Sequence, residues 1–228
     1  KISNSHIVPM LEAIDDKKSN CIYLVMEYVE GGPILEMLPE VLRRKNGPYG
    51  AVYKPLSSDK IRNYTRQIVS ALLYLHNRQI IHRDIKPENI LVGDCDNVFL
   101  ADFGVSEIVE DDDLSNEVTQ NAVGTPLYMA PEQINSQATS GMPGDVWALG
   151  VTVYAMSTGK LPFSGENVAE VTEKIVRTEP AYPQDMDADC RQLIQQMHHP
   201  QGTALPELHQ ERCVPPPKCP YHVPQERR

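Results

Sequence analysis

Residues 81–91 read I-H-R-D-I-K-P-E-N-I-L, and this stretch decides the fold. Its polar side chains include His82, Arg83, Asp84, Lys86 and Asn89. Apolar residues at 80–81 and 90–92 predict two short buried strands on either side, and Pro87 excludes a helix between them. The stretch is therefore predicted to be a polar loop held at both ends by the core. Functional side chains are often found on such loops, because the scaffold fixes them where solvent can reach them.

The composition of the 228-residue chain limits its class. This length is enough for one large domain or two small ones with a substantial core. A net charge of −10 argues against binding of nucleic acid or of an anionic membrane through a broad basic surface. The longest apolar run, residues 146–156, is shorter than the roughly 20 residues that cross a bilayer. Because residue 1 is Lys1 and no leader precedes the first strand, we expect the chain to be part of a longer one.

The positions of the prolines and cysteines predict a domain boundary and a cellular compartment. Seven of the nineteen prolines lie at or after Pro200, so we expect a Pro-rich, disordered tail over residues 200–228. Five scattered cysteines predict free thiols in a reducing, intracellular compartment, which we take to be the cytoplasm. A zinc site near the end of the chain is an alternative, but its spacing lacks a C-x-x-C knuckle. Its ligands would be His209, Cys213, Cys219 and His222.

Periodicity predicts the remaining elements. Strands are predicted at residues 6–14, 22–29 and 99–101. Helices are predicted at residues 34–44, 145–158, 167–177 and 187–197. A further helix, with Ser57 as its N-cap, leads into residues 81–91. Its apolar stripe is Ile61, Tyr64, Ile68, Leu72 and Leu75.

Two motifs in order identify a family resemblance. The stretch H-R-D-I-K-P-E-N at 82–89, followed by D-F-G at 102–104, resembles the catalytic and metal-binding loops of eukaryotic protein kinases. Four segments resemble the calcium/calmodulin-dependent kinase kinases: E-Y-V-E-G-G-P-I at 27–34, P-L-S-S-D-K-I at 55–61, L-A-D-F-G-V-S-E at 100–107 and V-G-T-P-L-Y-M-A-P-E at 123–132. The resemblance covers residues 6–197. It implies an α+β, protein-kinase-like fold, with 1–29 as remnant small-lobe strands and hinge and 30–199 as the helical large lobe.

The resemblance implies transfer of the γ-phosphate of ATP to a protein serine or threonine, with Mg²⁺. Asp84 would orient the acceptor hydroxyl, and Lys86 would reach the γ-phosphate. Asn89 and Asp102 would offer oxygen ligands to Mg²⁺. The lysine of D-I-K-P-E-N, together with Thr125 of G-T-P, indicates a serine/threonine rather than a tyrosine kinase.

Further roles are implied only by the resemblance. Contacts with ATP are implied for Met26, Glu27, Val29 and Leu91. Regulation is implied for Arg83, Phe103, Ser115 and Thr119, with Arg83 pairing with a phosphate on the activation segment. A substrate platform is implied for Thr125 and Glu132. The implied partners are a protein substrate and an upstream regulator or scaffold; calmodulin is not carried over, since no basic amphipathic helix follows the domain.

The sequence also departs from the family pattern. It contains no G-x-G-x-x-G loop, no V-A-I-K lysine and no helix glutamate to pair with that lysine. Pro33 stands where many kinases carry a ribose-binding acid, and residues 200–203 stand where the arginine partner of Glu132 is usual. Because loss of one charge-stabilising donor typically costs roughly 10²–10³ in rate, we expect little or no turnover from this chain alone. A catalytically silent, kinase-like binding module is the alternative.

Overall fold

The structure is a computed structural model that describes residues 2–17, 21–37, 52–103, 106–108, 125–135 and 141–199. Several predictions from the sequence lie outside these residues. They concern the phosphorylation candidates Ser115 and Thr119, the alternative zinc ligands, and the tail over residues 200–228.

Two antiparallel strands, β1 (Met10–Asp16) and β2 (Cys21–Met26), form a separate two-stranded sheet. The prediction of two strands is confirmed, with bounds shifted by a few residues. Every residue of β2 is exposed, including Ile22 at 71% and Tyr23 at 53%. Because their side chains are exposed, β1 and β2 add little to the core described below. Exposed apolar residues of this size normally mark a contact surface.

Helix α1 (Ser58–His76) is the first major core element. All five residues of its predicted apolar stripe are buried. Ser57 occupies the N-cap with extended backbone, as predicted, but its side chain makes no capping hydrogen bond. The helix therefore owes its position to tertiary packing rather than to its cap.

The polar loop lies between two short strands, β3 and β4, as the sequence predicts, and each strand has an antiparallel partner. Strand β3 (Ile80–Ile81) pairs with β6 (Glu107–Ile108), and β4 (Ile90–Val92) pairs with β5 (Val98–Leu100). Within the loop, Pro87–Asn89 forms one 3₁₀ turn. Ile81 and Ile90 are buried at 1% and 0% exposure, so the core holds both ends of the loop.

The remaining helices complete the core. They are α2 (Pro131–Ile134), α3 (Met142–Thr158), α4 (Val168–Arg177) and α5 (Ala188–Met197). Nearly all of α3 is buried, in agreement with its mostly apolar sequence, and it ends at Gly159 in the left-handed conformation. Asn167 and Asp187 cap α4 and α5 through hydrogen bonds from the backbone N–H groups of Glu170 and Cys190. None of the helices in the described ranges is long and apolar enough to cross a membrane.

The predicted helix over residues 34–44 is wrong in its described part, residues 34–37. The chain there lies beside β4, since the N–H of Ile34 donates to the carbonyl of Ile90 at 2.7 Å. Met37 then forms an isolated bridge with Tyr53. Hydrogen bonds to distant backbone groups have replaced the local i to i+4 bonds that helix propensity favours.

His198, directly after α5, is a half-buried residue next to α3, and both of its ring nitrogens are buried. Its ring centroid lies 4.3 Å from that of Trp147. Burial lowers the pKa of His198 from 6.5 to about 4. The folded protein therefore keeps this imidazole neutral at a pH where the unfolded chain has already bound a proton.

We predict that His198 makes the folded state lose stability as the pH falls from 6.5 toward 4. A shift from 6.5 to about 4 corresponds to about 3 kcal/mol in the free energy of unfolding. The His198→Phe variant should therefore show a shallower loss over this window, measured by urea unfolding at several pH values. Gln195→Ala, at an exposed position of α5 that carries no titratable group, is the control and should leave the slope unchanged. Equal slopes for the His198→Phe variant and the unmodified chain would contradict the prediction.

Candidate active site

The polar loop is attached to α3 through one buried carboxylate, that of Asp145, which is 1% exposed. Its Oδ2 accepts the backbone N–H of His82 at 2.9 Å, and its Oδ1 accepts that of Arg83 at 2.8 Å. The Nε2 of His76, at the end of α1, lies 2.9 Å from the same Oδ2. One side chain thus joins the loop to two core helices.

His82 links the loop to the residues that precede Asp102. The imidazole is fully buried, and burial lowers its pKa, which favours the neutral form. The N–H of Asp84 donates to its Nδ1 at 3.3 Å, which leaves the proton on Nε2 for the carbonyl of Ala101 at 3.0 Å. The ring of Phe103 lies 5.0 Å away, so this packing also fixes the residue after Asp102.

Two residues of the site have an unusual backbone conformation. Arg83 has φ of +70° and Asp102 has φ of +60°. Side chains other than glycine rarely adopt this region, and such residues are concentrated at functional sites. At Arg83, this conformation accompanies the donation of two consecutive N–H groups to Asp145.

Asp84 lies at the centre of a closed hydrogen-bond network, the Asp84 network. Lys86 Nζ lies 2.6 Å from Oδ2, and the Thr125 hydroxyl donates to Oδ1 at 3.0 Å. Lys86 Nζ also donates to Thr125 Oγ1 at 3.0 Å. Asn89 Nδ2 donates to both Oδ2 and the carbonyl of Asp84, each at 2.8 Å. The structure therefore brings together Asp84, Lys86, Asn89 and Thr125 in one group.

The Asp84 network keeps its carboxylate ionised. Burial by itself would raise the pKa of Asp84, but the hydrogen bonds from Lys86 and Thr125 outweigh it and hold the pKa below its usual value. An ionised carboxylate only accepts hydrogen bonds, so it can receive the proton of an alcohol placed beside it. The adjacent ammonium of Lys86 can neutralise an anionic group at the same place.

Asn89 and Asp102 fit a magnesium ion. The N–H of Ala101 donates to the carbonyl of Asn89 at 2.9 Å, so Asn89 and Asp102 lie at the same end of the β4–β5 hairpin. The Asn89 amide nitrogen bonds to Asp84, which leaves the amide oxygen for a cation. Asp102 is an exposed residue. Oxygen ligands from one carboxylate and one amide, completed by phosphate oxygens and water, are typical of Mg²⁺ sites.

The segment after β2 lies across β4. The N–H of Val92 donates to the carbonyl of Gly32 at 2.8 Å. A Cβ at Gly31 would lie 2.2 Å from the carbonyl oxygen of Val92, so this close approach requires glycine. Leu91, half-buried on β4, therefore lies beside the segment that contains Val29, also half-buried.

The other residues implied in ATP contacts lie on the exposed sheet. Met26 is 41% exposed at the end of β2. The N–H of Glu27 already donates to the carbonyl of Pro9 at 3.0 Å. The structure therefore groups Val29 with Leu91 through β4, whereas Met26 ends β2 and Glu27 follows it, hydrogen-bonded to Pro9.

Glu132 and Arg83 lie outside the Asp84 network. Glu132 is half-buried on α2 and forms no ion pair within the described part of the chain. Arg83 is half-buried beside the Asp84 network. The position of its candidate phosphate partners is outside the described residues.

Sequence reasoning missed Asp145, although a signal was present. It is the single charged residue in the apolar sequence of α3, and a lone acid among buried residues is seldom there without a specific partner. It also missed Tyr53, whose hydroxyl contacts Glu88 and Tyr128. No local pattern reveals those contacts, because the residues are 35 and 75 positions apart in sequence.

We predict that Asp145→Asn destabilises the protein by about 2–4 kcal/mol, because an amide leaves a buried N–H of the loop facing another donor. Urea unfolding at pH 7 measures this change. Amide hydrogen exchange should show faster exchange at His82 and Arg83. Asp189→Asn, in the exposed first turn of α5, is the matched control and should change stability by less than about 0.5 kcal/mol. Similar losses for both variants would refute the role given to Asp145.

Comparisons with known proteins agree with this geometry. Residues 1–209 match the model of the protein kinase domain. A probable serine/threonine-protein kinase of Dictyostelium discoideum is 36% identical over 201 residues, which is 86% of this chain and 26% of the relative. Serine/threonine-protein kinase GRIK1 of Arabidopsis thaliana is 36% identical over 194 residues, 85% of this chain and 45% of the relative. The calcium/calmodulin-dependent protein kinase kinase of Caenorhabditis elegans is 36% identical over 187 residues, 81% of this chain and 32% of the relative.

The chain spans less than half the length of each of these relatives. Over the matched region, the comparisons confirm the predicted resemblance to serine/threonine kinases and the α+β kinase fold.

Proposed function

The chain belongs to the protein kinase family, and from this premise we propose that the whole protein is a serine/threonine protein kinase. It would transfer the γ-phosphate of ATP to a hydroxyl group of a protein substrate. The observation that carries the proposal is the Asp84 network, in which an ionised carboxylate, an ammonium and a hydroxyl lie within 3.0 Å of one another.

The proposed mechanism depends on positioning and charge. Asp84 would accept the hydrogen bond of the acceptor hydroxyl, in the place that the Thr125 hydroxyl occupies. Lys86 would move from Asp84 toward the transferred phosphoryl group and stabilise its charge. Asn89 and Asp102 would hold a magnesium ion, which when bound neutralises the phosphate oxygens.

Two features support serine and threonine as acceptors. Lys86 and Thr125, the two residues whose motifs indicate serine/threonine kinases, are in direct contact at 3.0 Å. The relatives named above from Dictyostelium discoideum and Arabidopsis thaliana are serine/threonine kinases by name. The pattern of the sequence and the contact thus point to the same acceptor class.

We further propose the organisation and setting of the protein. Residues 1–29 would be small-lobe strands and hinge, 30–199 the large lobe, and 200–228 a tail. The five cysteines are scattered through the sequence, a pattern that supports an intracellular, cytoplasmic location. A protein substrate and an upstream regulator or scaffold would be its partners.

A catalytically silent, kinase-like module is the second candidate. It would apply if the whole protein lacked both the glycine-rich loop and the V-A-I-K lysine. It is disfavoured by the Asp84 network, since a binding module has no need of this arrangement together with Asn89 and Asp102. Upstream sequence carrying both missing motifs would decide for the kinase.

We predict that the purified 228-residue chain phosphorylates dephosphorylated casein, with Mg-ATP, no faster than its Asp84→Ala variant. The whole protein should phosphorylate casein, and there Asp84→Ala should lower the rate by at least about 10³-fold. Incorporation of ³²P into serine and threonine is the measurement. Asp84-dependent turnover by the short chain would overturn the first expectation. A whole protein without such turnover would support the silent module.

We also predict that Arg83 mediates control by phosphorylation at Ser115 or Thr119. A phosphate there would pair with its guanidinium. Arg83→Ala should therefore abolish the activation that follows phosphorylation while leaving the unphosphorylated rate similar. Arg78→Ala, in the exposed turn after α1, is the control. The hypothesis fails if phosphorylated and unphosphorylated forms of the unaltered protein have equal rates.

A further inference from the structure

Residues 52–56, here called the strap, lie across the C-terminal end of α3. The N–H of Tyr53 donates to the carbonyl of Gly159 at 2.7 Å, and that of Leu56 donates to Met156 at 2.8 Å. These bonds satisfy carbonyl groups that a helix end leaves without intrahelical partners. Gly159 has φ of +71°, and a Cβ there would lie 2.5 Å from the carbonyl oxygen of Tyr53. The strap is therefore fixed closely against the core.

The strap places the Tyr53 side chain between two loops of the site. This residue is 2% exposed. Its hydroxyl donates to Glu88 Oε1 at 3.0 Å and lies 3.1 Å from the hydroxyl of Tyr128. Because a phenol has one proton, Tyr53 must accept from Tyr128 while it donates to Glu88. The three groups form a directed chain, here called the hydroxyl chain, from Tyr128 through Tyr53 to Glu88.

The ends of the hydroxyl chain belong to the two loops that meet at Asp84. Glu88 lies in the turn Pro87–Asn89, directly before Asn89. Tyr128 lies in the turn Pro126–Tyr128, directly after Thr125. The hydroxyl chain is thus a second connection between these loops, made by residues other than those of the Asp84 network.

The Tyr128 hydroxyl is well suited to be a permanent donor. Burial, and the nearby Tyr53 and Glu88, raise the pKa of Tyr128 well above its usual value. It therefore keeps its proton throughout the neutral range. If Tyr53 lost its hydroxyl, this buried donor would have no acceptor in the hydroxyl chain, and its loop would have to move to find one.

We propose that Tyr53 is a positioning residue for the protein substrate, which holds residues 125–130 at a fixed distance from the catalytic loop. The inference rests on the proposed kinase function. Residues 125–130 contact Asp84 through Thr125. Their position therefore determines how a polypeptide substrate presents its hydroxyl group to Asp84. None of the residues implied in ATP contact belongs to the hydroxyl chain. Loss of the Tyr53 hydroxyl should therefore affect the protein substrate and leave ATP unaffected.

The test is Tyr53→Phe in the whole protein, with dephosphorylated casein and Mg-ATP as the probes. We expect KM for casein to rise by about tenfold, the change expected for one buried hydroxyl left without its acceptor. KM for ATP and kcat should stay within about twofold. Tyr128→Phe should give the same pattern, and the double variant should be no worse than either single variant, because all three break one hydroxyl chain.

Tyr154→Phe is the matched control. Tyr154 is also a buried tyrosine, and its hydroxyl donates to the carbonyl of Ala181 at 2.7 Å, away from the hydroxyl chain. Its variant should lower the thermal midpoint by a similar amount without raising KM for casein. An equal rise in KM for Tyr154→Phe would overturn the proposal, because it would show general destabilisation.

The outcomes also separate this inference from the proposed function. An active protein whose Tyr53→Phe and Tyr128→Phe variants keep the original KM for casein would overturn the inference alone. A folded whole protein without any Asp84-dependent phosphorylation would overturn the proposed function and the inference with it.

Discussion

The candidate site depends on one buried carboxylate that accepts hydrogen bonds from two consecutive backbone N–H groups. Asp145 lies on α3, and the N–H groups of His82 and Arg83 donate to its two oxygens. Burial of a carboxylate is costly unless strong donors surround it, and this cost makes the arrangement specific. A loop that shifted would leave the charge without its donors. The position of Asp84, two residues after His82, is therefore fixed by a helix that contributes nothing to the chemistry.

Asp145 and Asp84 differ in what surrounds their carboxylates. Two backbone N–H groups of the loop and the ring of His76 hold Asp145, and the backbone groups cannot leave unless the loop itself moves. Side chains hold Asp84, and each of them can rotate away. One carboxylate is thus suited to permanent attachment and the other to exchange of partners. The hydrogen-bond partners of Asp84 must exchange if the hydroxyl of a substrate is to replace that of Thr125.

Local patterns in the sequence predicted the structural features that depend on residues close together in the chain. The stripe of α1, the buried α3 and the loop between β3 and β4 follow from periodicity and from Pro87, and the structure has them. The helix expected at residues 34–44 is absent over its described part, because hydrogen bonds to β4 lie beyond any local window. Contacts of Asp145 with the loop cross 62 and 63 positions, and that of Tyr53 with Tyr128 crosses 75. Only the folded chain shows which residues meet over such separations.

The exposed sheet has a consequence for the behaviour of this chain in solution. Among the described residues, β1 and β2 pair only with each other, so each has one edge whose peptide groups face outward. Leu11 and Ile22, at 66% and 71% exposure, add apolar surface beside those edges. Open strand edges with apolar side chains are templates for pairing between molecules. Self-association of the chain at high concentration is therefore expected to begin at this sheet, in spite of a net charge of −10 that keeps the molecules apart elsewhere.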